Sequence, residues 1–340
     1  MSFSSLSFAT PGVFASPDEL LRALKPAQAD FQLFERRLAA CMEGDSPLIT
    51  SIARHLLQVK GKRIRPAILF LSSRAAGLYT DRTVDASLAI ELIHTATLLH
   101  DDVVDESHLR RNQETVNAKW TNLISVLMGD YLFAKAFRTM VGVGSMELIR
   151  VISSATERVS VGELRQIEET GNVDISEEQY LRVISGKTAS LFNAACQVGP
   201  MLAGKPTEMC DRFGHFGEAL GVSFQISDDV LDYVGDASVA GKAPGNDLMT
   251  GKITLPLIHA LRVAPPDEAA SMKAFVKAGV SQERFPHALE FVERHGGLEY
   301  ASQRSRELSD EALTALGDLP ENEYSAALYE IVRFSTRRSV

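Results

Sequence analysis

The chain has 340 residues, 45% of them hydrophobic and 23% charged, with a formal net charge of −9, the profile of a globular protein with a large core. The acidic balance argues against a nucleic-acid-binding surface, and Cys41, Cys196 and Cys210 are too few and too scattered for a disulfide framework or a zinc site. No apolar run reaches the roughly 18–20 residues of a membrane span, and the first arginine is Arg22, so the start lacks the basic character of a signal or transit peptide; a reducing, cytoplasmic setting is expected.

Residues 1–17, rich in Ser and Phe, read as a loosely ordered lead-in. From Pro17 onward apolar residues recur at three- and four-residue steps. The pattern predicts helices over 18–43, 47–58, 65–77, 82–106, 115–143, 145–170, 176–203, 207–233, 252–263, 267–278, 282–296, 297–317 and 321–337. Gly and Pro punctuate the joins, at Gly44-Asp45-Ser46-Pro47, Gly61, Gly77, Gly171-Asn172, Gly204-Lys205-Pro206 and the loop Asp236–Gly251. Strand alternation is almost absent, and no linker or shift in composition divides the chain. Residues 18–340 are therefore expected to form a single all-α domain around a buried central bundle.

Two helical runs end in the same acidic pattern, Asp-Asp-x-x-Asp. The first is Asp101-Asp102-Val103-Val104-Asp105 and the second Asp228-Asp229-Val230-Leu231-Asp232. A helix puts the first and last Asp of each on one face, where like charges cost about 0.2–0.5 kcal/mol and oppose the dipole at a helix C-terminus. A chain that breaks this local rule twice in the same way is using the carboxylates. Clustered oxygen donors without neighbouring Cys or paired His suit a hard cation, above all magnesium, and magnesium commonly bridges carboxylates to phosphate.

Cationic groups answer them. Lys60-Gly61-Lys62-Arg63-Ile64-Arg65-Pro66 sets four cations at a glycine break before a helix opened by proline, a place suited to an anion. Arg110-Arg111 follows the first acidic motif, Lys187-Thr188 lies inside a helical run, and Lys242 and Lys252 flank the Gly-rich loop after the second motif. Together they describe a cleft for two diphosphates, one held through metal and one directly by Arg and Lys.

In these stretches, and in Gly129-Asp130-Tyr131-Leu132, Gly186-Lys187-Thr188-Ala189, Phe224-Gln225-Ile226-Ser227 and Gly251-Lys252-Ile253-Thr254-Leu255-Pro256, the chain resembles the trans-isoprenyl diphosphate synthases, the polyprenyl synthetase family, from about Pro47 to the C-terminus. The resemblance implies a helical bundle around a deep cavity, a homodimer, and about three magnesium ions holding an allylic diphosphate. It makes Asp101, Asp105 and Asp228 direct metal ligands and Asp102, Asp229 and Asp232 ligands or outer-shell support. It puts Lys62, Arg65, His94 and Arg111 on isopentenyl diphosphate, and Arg110, Lys187, Lys242 and Lys252 on the allylic partner, whether dimethylallyl, geranyl, farnesyl or geranylgeranyl diphosphate. Thr188 and Gln225 would turn oxygen atoms toward the reacting carbons. Asn112, Lys60 and Asn246 depart from the family pattern without removing any of these groups.

Product length in such enzymes follows the depth of the cavity below the first acidic motif. One turn below Asp101 stand Thr97 and Ala96, both small, implying a medium- or long-chain product of C20 or more, with geranylgeranyl diphosphate the alternative. Phe133 and Phe137 are candidates for the floor, against a plainer role in core packing. A terpene cyclase would usually replace the second motif and has no need of the Gly61–Arg65 cluster, and a non-catalytic partner subunit would tend to lose an acidic motif. A peripheral association with membrane is open to an enzyme with a greasy product.

Overall fold

A computed structural model describes residues 22–44, 46–58, 63–77, 79–110, 113–234, 244–317 and 319–337. The chain is almost entirely helical, as expected of an isoprenoid-synthase-type bundle. After a 3₁₀ turn at Lys25–Ala27, the helices are α1 (Gln28–Met42), α2 (Pro47–Gln58), α3 (Ile64–Ala75) and α4 (Asp81–Val104). A two-residue hairpin, β1 (Leu109–Arg110) with β2 (Gln113–Glu114), precedes α5 (Val116–Lys119), α6 (Asn122–Val143), α7 (Met146–Glu169) and α8 (Glu177–Ile184). A π-helical turn, Ser185–Ala189, leads into α9 (Ser190–Leu202), then α10 (Thr207–Val234), α11 (Asn246–Met249), α12 (Leu255–Val263), α13 (Pro266–Lys277), α14 (Phe285–Arg294), α15 (Gly297–Leu316) and α16 (Glu323–Arg337).

Two helices set the frame. α4 starts where the Thr83 hydroxyl accepts the Thr80 backbone N–H at 3.4 Å, and from Val84 to Ile93 every residue but Asp85 is buried. It has no polar stripe because α1, α3, α6 and α9 surround it. α10, 28 residues long, packs closely on α9 and α15, and a buried ladder of Ser223, Ser227, Ser305 and Ser309 hydroxyls bonds the α10–α15 contact at 2.8–2.9 Å. Small side chains here let the two backbones approach while every hydroxyl finds a partner. One core lies among α1, α3, α4, α6, α7, α9 and α16; a second joins α8, the C-terminal half of α10 and α12–α15. The acidic motifs lie at the C-terminal ends of α4 and α10.

Three sequence expectations need correcting. The helix predicted over 115–143 is broken at Trp120, because the Thr121 hydroxyl takes the Ile124 N–H at 3.2 Å and starts a new helix. The helix over 176–203 carries the π turn, and the Gly-rich loop contains α11. The lead-in 1–17 lies outside the described residues.

Candidate active site

At the first motif the two leading carboxylates face different surroundings. Asp101 is half-buried at the end of α4, and burial pushes its carboxyl up to about 7; Glu163 and Asp105 push the same way, while Lys187 and Arg110 oppose them. Asp102 is buried and turned inward. Its Oδ1 accepts from Arg110 Nε at 2.9 Å and Nη2 at 2.8 Å, and its carbonyl accepts from Ser107 N at 2.9 Å and Asn117 Nδ2 at 3.2 Å. The hairpin is thereby fastened to the helix end, and Arg110 rests on an acidic partner of the first motif.

At the second motif Asp228 and Asp232 are half-buried and Asp229 is fully buried. Asp232 accepts the Asp247 N–H on Oδ2 at 3.0 Å and the Gly245 N–H on its carbonyl at 2.7 Å, so it sits at the positive end of α11. Asp229 takes Gln225 Nε2 on one oxygen at 2.7 Å and the Tyr180 hydroxyl on the other at 2.6 Å, and Gln225 Oε1 accepts from Thr188 Oγ1 at 2.7 Å. Burial, with Asp247 nearby, holds the Asp229 carboxyl well above the usual range.

Two lysines answer the first motif. Lys252 Nζ lies 3.0 Å from Asp105 Oδ2, an ion pair between residues 147 apart in sequence. Lys187, on the π turn, pairs with Glu163 Oε2 at 2.8 Å. Burial works against its charge, but Glu163, Asp101 and Asp105 outweigh that and raise its pKa. The π turn can approach α7 because Gly162 faces it: a Cβ there would stand 2.4 Å from Lys187 N and 2.8 Å from Gly186 C. Lys187, Lys252, Gln225, Asp229, Asp247, Tyr180 and Thr254 line one cavity of about 130 Å³.

The second cationic group gathers at the start of α3. Arg63 adopts a left-handed backbone at φ 48° and pairs with Glu91 and, at 3.4 Å, with Glu35. Arg65 Nη1 stands 3.1 Å from His94 Nε2, with the guanidinium 4.9 Å over the Phe192 ring. Burial pushes Arg65 down to about 10, against the pull of Glu91 and Asp228, and its Nε is buried without a hydrogen-bond partner among the described residues. A half-buried guanidinium with a buried spare donor is suited to an anion. Lys62, Arg111 and Lys242 lie outside the described residues.

Below Asp101, Ala96 is fully buried, and Thr97 is half-buried with its hydroxyl on the His94 carbonyl at 2.8 Å. Phe133 packs near His100, with ring centroids 5.9 Å apart. Phe137 is 49% exposed on α6, so it is not part of the core. Glu163, Tyr180 and Asp247 belong to the site but fall outside the acidic and basic motifs that point to it; only the place of Asp247, five residues before Lys252 in the Gly-rich loop, offered a signal.

The sequence model of the polyprenyl synthetase family matches residues 46–292. The octaprenyl diphosphate synthase of Escherichia coli is 40% identical over 297 residues, covering 87% of this chain and 92% of its own. A decaprenyl diphosphate synthase structure from Rhodobacter capsulatus superposes with a TM-score of 0.89 at 36% identity, covering 94% of this chain and 99% of its own. A polyprenyl synthase from Caulobacter crescentus, complexed with calcium and isoprenyl diphosphate, gives 0.90 at 35% identity, covering 97% and 100%.

Proposed function

This chain belongs to the polyprenyl synthetase family, and on that premise we propose that it condenses isopentenyl diphosphate head-to-tail with an allylic diphosphate, repeatedly, to an all-trans polyprenyl diphosphate of C20 or longer. The observation that carries the reading is that Lys252, paired with Asp105 of the first motif, lines one cavity with Lys187 and with Asp229 of the second. Dimethylallyl, geranyl, farnesyl and geranylgeranyl diphosphates are the candidate primers. The small residues Ala96 and Thr97 favour a long product, as do the octaprenyl and decaprenyl relatives.

Asp101, Asp105 and Asp228 are the proposed direct ligands of magnesium. Asp102, Asp229 and Asp232, held by Arg110, by Tyr180 with Gln225, and by the Asp247 N–H, stand behind them. Among the described residues no three His, Cys, Asp or Glu side chains converge into a ready-made cage. That fits magnesium, which usually takes one or two carboxylates and completes its shell from water and phosphate. Magnesium when bound supplies positive charge at the leaving diphosphate.

Ionisation of the allylic C–O bond sends its electron pair to the diphosphate, and Lys187, Lys252 and Arg110 stabilise the charge that develops there. Arg65 and His94, with Lys62 and Arg111, hold the diphosphate of isopentenyl diphosphate so that its double bond faces the allylic carbon. The new C–C bond leaves a cation one carbon away. Loss of a proton to the departing diphosphate restores an alkene, so no side-chain base is needed.

α6 exposes Leu123, Val126, Leu127, Phe137 and Val141, and with Ala134 these lie along one face at three- and four-residue steps interrupted by Asp130. Such a seam supports a homodimer. No helix among the described residues is long and apolar enough to cross a membrane, and we assign the enzyme to the cytoplasm, with any membrane contact peripheral. The test is incubation of labelled isopentenyl diphosphate with each primer and magnesium. A ladder ending in one linear product of C20 or more, abolished by EDTA, is the expected result. Cyclic hydrocarbon made from the allylic substrate alone would mean a cyclase; no incorporation with any primer would mean that a partner subunit is required.

A further inference from the structure

Tyr180, buried on α8, belongs to none of the motifs, and its ring packs in the second core. Its hydroxyl starts a chain of three hydrogen bonds: Tyr180 Oη to Asp229 Oδ2 at 2.6 Å, Gln225 Nε2 to Asp229 Oδ1 at 2.7 Å, and Thr188 Oγ1 to Gln225 Oε1 at 2.7 Å. The chain runs from α8 through α10 to the π turn that carries Lys187.

Donor and acceptor capacity fixes its direction. The Tyr180 phenol gives its single proton to Asp229 Oδ2, and Gln225 presents its NH₂ to Oδ1 of the same carboxyl. The amide oxygen is then forced to the Thr188 side. A glutamine without such a partner can reverse its amide, exchanging a partial negative oxygen for a partial positive NH₂ at one point in space. In a site that must tolerate a cation on carbon, that exchange reverses the sign of the nearest dipole. Gln225 lines the same cavity as Lys187 and Lys252.

We propose that Tyr180 is a positioning residue which, through Asp229, locks the Gln225 amide with its oxygen toward Thr188, so that the amide dipole favours the allylic cation. The proposal rests on the prenyl-transfer reading and gives Asp229 a task other than direct metal binding. Tyr180→Phe keeps the packed ring and removes only the hydroxyl.

At saturating magnesium, Tyr180→Phe is expected to lower kcat at least tenfold while KM for both diphosphates and the magnesium half-saturation stay within twofold. In a Gln225→Leu background the same change is expected to alter kcat by less than twofold, because the amide it positions is gone. Undiminished kcat, an equal fall in both backgrounds, or a rise in KM at unchanged kcat would each overturn the proposal. Should Tyr180→Phe fail to fold, Asp229→Asn is expected to lower kcat at least tenfold in the wild-type background and by less than twofold in the Gln225→Leu background, since a carboxamide can offer either end to Gln225. An independent readout needs no turnover: the Gln225 side-chain ¹⁵N-amide resonance, identified by its loss in Gln225→Leu, must move in Tyr180→Phe. An unmoved resonance refutes the linkage. A moved one, with wild-type protein that incorporates no isopentenyl unit, supports the linkage and removes the prenyl-transfer reading instead.

Discussion

Asp101→Asn should make the metal-free protein more stable while destroying its activity. In the folded chain Asp101 titrates at about 7, against 3.8 for an ordinary aspartate, because burial and the nearby Glu163 and Asp105 disfavour its charge. The unfolded chain therefore binds fewer protons than the folded chain between those values, and stability falls as pH rises through that window. A shift of about three units corresponds to about 4 kcal/mol, present in full above pH 7 and reduced to about 1 kcal/mol at pH 4.5. Asparagine removes the buried charge and so recovers most of it. For a chain of this size about 2 °C accompanies each kcal/mol, giving a rise in Tm of several degrees at pH 8 without divalent metal and little change at pH 4.5. Thermal unfolding followed by circular dichroism at the two pH values is the assay. A variant that melts at or below the wild-type temperature at pH 8 would show that the carboxylate is not destabilised in the fold, and the account of the first motif would fall.

Thr97→Phe should shorten the dominant product by blocking the passage one turn below Asp101, read by chromatography of dephosphorylated products; an unchanged length would place the determinant elsewhere. Ala96→Phe should do the same but lose about 1–3 kcal/mol to overpacking, because Ala96 is fully buried. Gly162→Ala should lower kcat by about 10²-fold, since the new methyl meets the backbone of Gly186 and Lys187 and displaces the lysine; Gly142→Ala, with nothing within 4 Å, is the control. Asp30→Ala should lower stability by about 2 kcal/mol in denaturant titrations without changing product length, because it strips the half-buried Arg74 of a buried partner held at 2.6 and 2.8 Å.

The helical bundle was legible because amphipathic periodicity and glycine breaks are local signals. The break at Trp120 was not, since the apolar rhythm runs straight through it and only the Thr121 cap interrupts it. The π turn at Ser185–Ala189 leaves no trace in periodicity, because its extra residue is imposed by the close approach of Gly162 and Gly186. The hairpin at Leu109–Glu114 is too short to alternate. In the site, the aspartates and lysines could be read because repetition and clustered charge mark them. Tyr180 and Glu163 could not: a tyrosine on an apolar face reads as core, and a glutamate on a mixed helix reads as solvated. Only the tertiary fold brings them to Asp229 and Lys187. Phe137 misled because its helical spacing resembles that of a core residue, whereas the stripe it belongs to faces outward.

In the proposed complex both acidic motifs, through magnesium, and the two lysines directly hold one allylic diphosphate. The most direct measurement is a crystal structure with magnesium and an allylic analogue whose bridging oxygen is replaced by sulfur, so that it cannot ionise. Metal is expected on Asp101 and Asp105 and on Asp228, with Lys252 moved from Asp105 onto the diphosphate beside Lys187. A diphosphate bound away from these residues, or Lys252 still paired with Asp105 in the filled site, would contradict it.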